Sequence, residues 1–310
     1  MSSKRQNWID ALKGIAICAV VLGHSWDIFS EYKIPFIWKH LVFTIPWFIF
    51  LAGITNGSSY DRKKDSLFSF YSKRSRLFID YIFAALTAYF LLTPQADLTK
   101  LTSLLFNFTL QPTFYFVNLI LQLYIIFPFL YFISRKGKIL PFLSVPVVFV
   151  ISFWLLWEMG MPPWPFSSAG RLFGAGYLFI FYLGILYSRI KPGKFILLFL
   201  SFVFIAAEIR YMILPSFPPE ISPTFFSFTW SILFIFPFIL IFRSKMRLFP
   251  LEFLGRHALY IYLYHYLILL LSRKYLASFP YIIILVLSFL LPLSISAIRN
   301  KVARGVIYYL

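Results

Sequence analysis

Charge of one sign, cysteine and histidine are what this sequence has least of. A single cysteine, Cys18, excludes an intrachain disulfide and any multi-cysteine metal site. Acidic residues number 11 against 29 Lys and Arg, which leaves a formal charge of +18. Charged residues of both signs make up only 13% of the 310-residue chain, too few for a soluble domain. There are four histidines, none spaced from a carboxylate as in His-Glu-x-x-His, so no metal is expected. A glycine-rich phosphate loop and a Gly-x-Ser-x-Gly elbow are both missing. So is an internal repeat, which counts against a repeat-built transporter.

What is present is apolar. Hydrophobic residues reach 60% and mean hydropathy is +0.81, in the range of polytopic membrane proteins. Forty Phe, twenty Tyr and eight Trp suit lipid-facing and interfacial positions. The positive charge alone would also suit a nucleic-acid partner. Its placement in short loops between apolar runs argues instead for membrane lipid, and no nucleic acid is expected. Lys4 and Arg5 precede the first apolar run as in a signal peptide, but no small-residue cleavage pattern followed by a soluble domain is seen. That run reads as an uncleaved first helix.

The pattern predicts an all-α, polytopic transmembrane bundle in one domain covering 1–310. About ten spans are expected, near 10–29, 36–56, 77–93, 114–133, 139–157, 171–187, 195–214, 225–242, 253–271 and 281–298. With both termini cytoplasmic, twenty Lys and Arg fall on inner segments and seven on outer ones, the asymmetry that cytoplasmic loops require. The stretch 98–112 is too short to span and reads as interfacial or re-entrant.

Ionisable groups inside a bilayer are costly and usually face a cavity or a partner. His24 lies in the outer half of the first span, with Asp27 three residues on and on the same helical face. A carboxylate that orients an imidazole and stabilises its protonated form makes a general base. The plainer alternative is a helix-end histidine bonded to a neighbour or to interfacial water. Lys13, eleven residues before His24, is close to three helical turns away, so both can face one cavity. On chemistry alone Lys13 snorkels to the headgroups, with Asp10 as its i−3 partner. The loop Asp61 to Arg76 carries six basic residues, including Lys73, Arg74 and Arg76; it serves either topology and anionic lipid or an anionic cofactor. His265 shares a face with Tyr262 and reads as a structural or substrate-binding histidine. Trp157 and Trp164, in the outer stretch 157–171, are either sugar platforms or interfacial anchors.

Five segments together resemble a known family. "NWIDALKGIAICAVVLGHS" is similar to the first helix of acyltransferase family 3, with a basic residue, ten residues and then His. In the family's order follow "PWFIFLAGITNG", "FYSKRSRLFIDY", "YFVNLILQLYIIFPFL" and "LGRHALYIYLYH". The resemblance spans most of the chain and looks nearest to the sugar O-acetylase branch. It implies a multi-pass protein of the inner (plasma) membrane that transfers acetyl from acetyl-CoA to a hydroxyl of a sugar or glycan. Acetyl-CoA would be a co-substrate, with no permanently bound cofactor. By the same resemblance His24 is the catalytic base, Lys13 its basic partner, and Lys73 and Arg76, with Arg74 between them, bind CoA phosphates. Three positions depart from the family: Thr44 replaces a second His, while Ala52 and Ala258 replace serines. A transporter of a glycan or small solute is the competing function, since its pathway would need the same intramembrane polar groups.

Overall fold

The computed structural model describes residues 6–34, 37, 41–63, 66–92, 98–137, 139–158, 177–190, 192–193, 195–202, 225–243 and 247–307. The structure is 89% helical, with no strand among the described residues. Helix is the natural outcome for these runs, because a backbone out of water must satisfy its N–H and C=O groups within the segment. In chain order the helices are α1 (Asn7–Ile28), α2 (Thr44–Lys63), α3 (Leu67–Leu92), α4 (Leu98–Phe106), α5 (Tyr115–Arg135), α6 (Leu140–Glu158), α7 (Leu178–Ile190), α8 (Phe225–Arg243), α9 (Phe249–Arg256), α10 (Ala258–Tyr275) and α11 (Tyr281–Ile307). A further helical stretch covers 195–202.

Among the described residues four helices are long and apolar enough to cross a membrane: Asn7–Ile28, Leu67–Leu92, Pro112–Arg135 and Tyr281–Lys301. In an 18-residue apolar stretch of α1, 61% of residues are buried, against 33%, 33% and 22% in the other three. α1 is therefore the helix the bundle is built around, with Asp10 and Ser25 buried against protein and Lys13 and His24 only partly so. The other three turn large apolar side chains outward in helical register: Phe83 and Phe90 on α3, Ile125, Phe129 and Phe132 on α5, and Ile282, Val286 and Leu290 on α11. Apolar faces of that extent suit lipid.

Two glycine pairs let backbones approach. Gly14 of α1 meets Gly255 of α9, where a Cβ on Gly255 would sit 2.9 Å from the Gly14 nitrogen and closer still to the Asp10 carbonyl. Gly53 of α2 meets Gly184 of α7, each Cβ position 3.0 Å from the other's Cα. Small residues at crossings are how apolar helices gain close contact where lipid offers no hydrophobic drive. At one end of the bundle the turns are tied by arginine. Arg189 donates to the Gly137 carbonyl at 2.7 Å and Arg243 to the Pro192 carbonyl at 3.0 Å, while Arg135 pairs with Asp61.

The elements differ from the sequence expectation in three places. The third span starts ten residues early, at Leu67, so most of the expected basic loop is helical and Lys73, Arg74 and Arg76 ride on α3. The expected second span is interrupted by a short 3-10 turn at Leu41–Phe43, from which the helix Thr44–Lys63 continues. The run 253–271 is two helices, broken at His257, whose φ of −105° and ψ of 8° leave the helical region. The stretch 98–112, expected to be too short to span, contains the nine-residue α4.

Candidate functional site

α1 presents its polar residues in two clusters, one at each end. Near its start, Asp10 is buried beside α9, with its carboxylate 3.7 Å from the Arg256 guanidinium. Lys13 follows one turn later and is half-buried. Both line a cavity of about 490 Å³, within the range of small-molecule sites. α3 contributes Lys73, Arg74, Arg76 and Asp80, the α9–α10 corner Arg256 and Tyr260, and α11 Arg299. Six cations thus meet two carboxylates around one space. Arg256 is shared between Asp10 and Glu252, the latter at 3.3 Å, and Arg299 lies 3.4 Å from Asp80. Arg74 is held by the Asn56 amide oxygen at 2.5 Å and stacks over the Phe70 ring at 4.2 Å, whereas Lys73 and Arg76 are exposed. The net excess of positive charge makes this a place for an anion.

The second cluster lies near the other end of α1. His24 Nδ1 is 3.4 Å from an Asp27 carboxylate oxygen, and both side chains are partly open, at 31% and 46% exposure. The His24 ring lies 5.4 Å from the ring of His265 on α10 and meets Tyr266 edge-on at 5.5 Å. His265 is wholly buried, with Nδ1 at 2.9 Å from the Ile261 carbonyl and 2.8 Å from the Tyr262 carbonyl. Ser25 shares a 2.6 Å hydrogen bond with the Tyr281 hydroxyl, which ties this end of α1 to α11. Beyond it, Arg273 donates to Glu31 at 2.9 Å across the exposed turn Ser30–Tyr32. The Glu31 carboxyl is held below its ordinary range, first by a backbone hydrogen bond within the residue and then by Arg273, with partial desolvation opposing.

Aromatic rings lie between the cavity lining and the histidine pair. Phe116 and Tyr262 are at the edge of the cavity with rings 5.1 Å apart, and Tyr262 is pinned by a hydrogen bond from its hydroxyl to the Thr113 carbonyl. The Tyr262 ring is 5.9 Å from that of His265. Lys13 is among the residues that line the cavity, and His24 is not. The structure brings Lys13, Lys73, Arg74 and Arg76 together in one place, and His24, Asp27 and His265 in another. Trp157 falls in the last turn of α6, and Trp164 lies outside the described residues.

Sequence reasoning missed Arg256, Arg299 and Asp80 as neighbours of the basic stretch. Their only signal was an acidic or basic residue inside or beside an apolar run, which identifies no partner. Ala52 and Ala258, two of the departures from the family pattern, both line the cavity. A family model described as an acyltransferase domain, that of acyltransferase family 3, matches residues 6–298. No curated protein and no solved structure matches the chain.

Proposed function

The chain belongs to acyltransferase family 3, and from that premise we propose that it moves an acetyl group from acetyl-CoA onto a hydroxyl of a sugar or surface glycan. His24 acts as general base, with Asp27 at its Nδ1 to orient the ring and steady the imidazolium. The acceptor oxygen attacks the thioester carbonyl as its proton passes to the imidazole. The new O–acyl bond forms, the S–acyl bond breaks, and the proton moves on to the departing CoA thiolate. His24 is then neutral again.

The observation that carries this reading is the cation-lined cavity at the start of α1. CoA bears its negative charge on the nucleotide end, and the grouping of Lys13, Lys73, Arg74, Arg76, Arg256 and Arg299 supports docking of that end there. Lys13 and His24 lie eleven residues apart on one helix, about 16 Å in depth. A flexible arm attached to the nucleotide suits that separation. On this reading the acyl end passes the Phe116 and Tyr262 rings before it meets His24. The protein would sit in the plasma membrane with the cavity towards the cytoplasm, where CoA is made available.

Purified protein supplied with labelled acetyl-CoA and glycan acceptors tests the proposal. His24→Ala is expected to lower transfer by about 10²- to 10⁴-fold, the usual contribution of a general base. Wild-type rates in that variant would remove His24 from the mechanism. Label that reaches no glycan at all would turn the reading towards transport.

A further inference from the structure

The Nε2 atom of His265 is buried and has no hydrogen-bond partner among the described residues. Its ring chemistry is fixed by the other nitrogen. Nδ1 faces the carbonyl oxygens of Ile261 and Tyr262, and a carbonyl only accepts, so Nδ1 carries the hydrogen. In the neutral ring Nε2 is then a bare lone pair. Leaving a buried acceptor unsatisfied costs about 1–3 kcal/mol, and native proteins almost always supply a partner. An acceptor placed this deep beside a reactive group is a place for a donor that comes with the substrate.

His24 presents the same kind of atom. Asp27 at 3.4 Å from its Nδ1 favours the hydrogen on that nitrogen, which leaves its Nε2 as the second lone pair. Two imidazoles with ring centres 5.4 Å apart thus offer two acceptors and no donor between them. Tyr262 spends its hydroxyl on the Thr113 carbonyl, and among the described residues no hydrogen bond joins the Tyr266 hydroxyl to either imidazole. Base catalysis by His24 uses one hydroxyl hydrogen. A single alcohol has no second one to give His265.

We propose that the acyl acceptor carries two hydroxyls on adjacent carbons, the attacking one donating to His24 and its neighbour to the bare Nε2 of His265, so that His265 sets acceptor specificity. The inference rests on O-acyl transfer with His24 as base and narrows its acceptor to vicinal diols of the kind found on a pyranose ring. No bond forms or breaks at His265, and the neighbouring hydroxyl keeps its hydrogen. The energetic reason for selectivity is the orphan itself. A site built to receive a hydroxyl rejects an analogue without it far more strongly than an apolar pocket rejects a lost methylene, because the buried acceptor is then left unpaired.

The test uses the full chain in detergent or nanodiscs with acetyl-CoA and a panel of methyl pyranosides, each compared with its monodeoxy counterparts. Wild-type protein should prefer the diol over a counterpart lacking the neighbouring hydroxyl by at least about fivefold in kcat/KM, the lower bound set by one unpaired buried acceptor. In His265→Phe that ratio should collapse towards one. In His265→Gln, which returns an acceptor near the Nε2 position, it should partly recover. Equal rates on diol and monodeoxy probes in the wild type, or an equal loss on both in His265→Phe, overturns the proposal while O-acyl transfer stands. Wild-type transfer rates in His24→Ala would instead overturn the base reading. A second readout needs no turnover: the ¹⁵N signal of His265 Nε2 should move on addition of cis-cyclohexane-1,2-diol and stay in place with cyclohexanol. The same response to both, or to neither, also overturns it.

Discussion

At the residue scale, the basic side chains of α3 divide by what holds them. Arg74 is half-buried, bonded to Asn56 and stacked on Phe70, so it supports the α2–α3 contact as well as the cavity's charge. Lys73 and Arg76 are exposed at the cavity edge, where each ion pair is worth no more than about 1 kcal/mol and is weakened by salt. Lys73→Ala with Arg76→Ala should therefore raise the KM for acetyl-CoA by about tenfold and leave kcat nearly unchanged, which steady-state kinetics would show. The increase should shrink at high ionic strength. Full retention of the wild-type KM would remove both residues from CoA binding. Lys13 is the residue whose sequence reading changed most. Burial of Asp10 one turn before it and the cavity beside it place Lys13 against protein, where chemistry alone had sent it to the headgroups.

At the element scale, the site depends on how closely α9 lies on α1. Asp10 and Lys13 point at the cavity because the backbone of α9 crosses at Gly14 and Gly255. A methyl group at Gly255 would meet Asp10 carbonyl carbon at 2.6 Å and Gly14 nitrogen at 2.9 Å, both backbone atoms that cannot turn aside. Gly255→Ala should cost about 1–3 kcal/mol, as overpacking usually does, and lower the thermal midpoint in detergent by several degrees. Gly193→Ala is the control, since nothing lies within 4 Å of its added Cβ. An equal midpoint for the two variants would show that the crossing has room to spare. The segment "LGRHALYIYLYH" was legible as helical from its composition, but the break at His257 was not. No proline or glycine sits at residue 257, and the helices on both sides of it pack on α1.

At the scale of the whole molecule, the expected inner and outer basic residues can be tested directly, because Cys18 is the only cysteine to remove. In a Cys18→Ser background, a membrane-impermeant maleimide on right-side-out vesicles should label Lys274→Cys and spare Lys136→Cys until the membrane is opened. Both positions are exposed, so burial does not decide the result. Labelling of both from outside would break the odd number of crossings expected between them.

By itself the sequence determined that the chain is helical and apolar outward, because a backbone in hydrocarbon has few ways to satisfy its own polar groups. It also determined the family, through ordered motifs, and put His24 with Asp27, since three residues along one helix fix their separation. Only the tertiary structure decided which cations share a space. Lys13, Lys73, Arg256 and Arg299 come from four helices, and their meeting depends on helix crossings set by small residues and by side-chain shape rather than by local periodicity. The same holds for His265: its distance from His24, and the lone pair it leaves without a partner, arise where α1 and α10 pack, and no spacing within either segment encodes that.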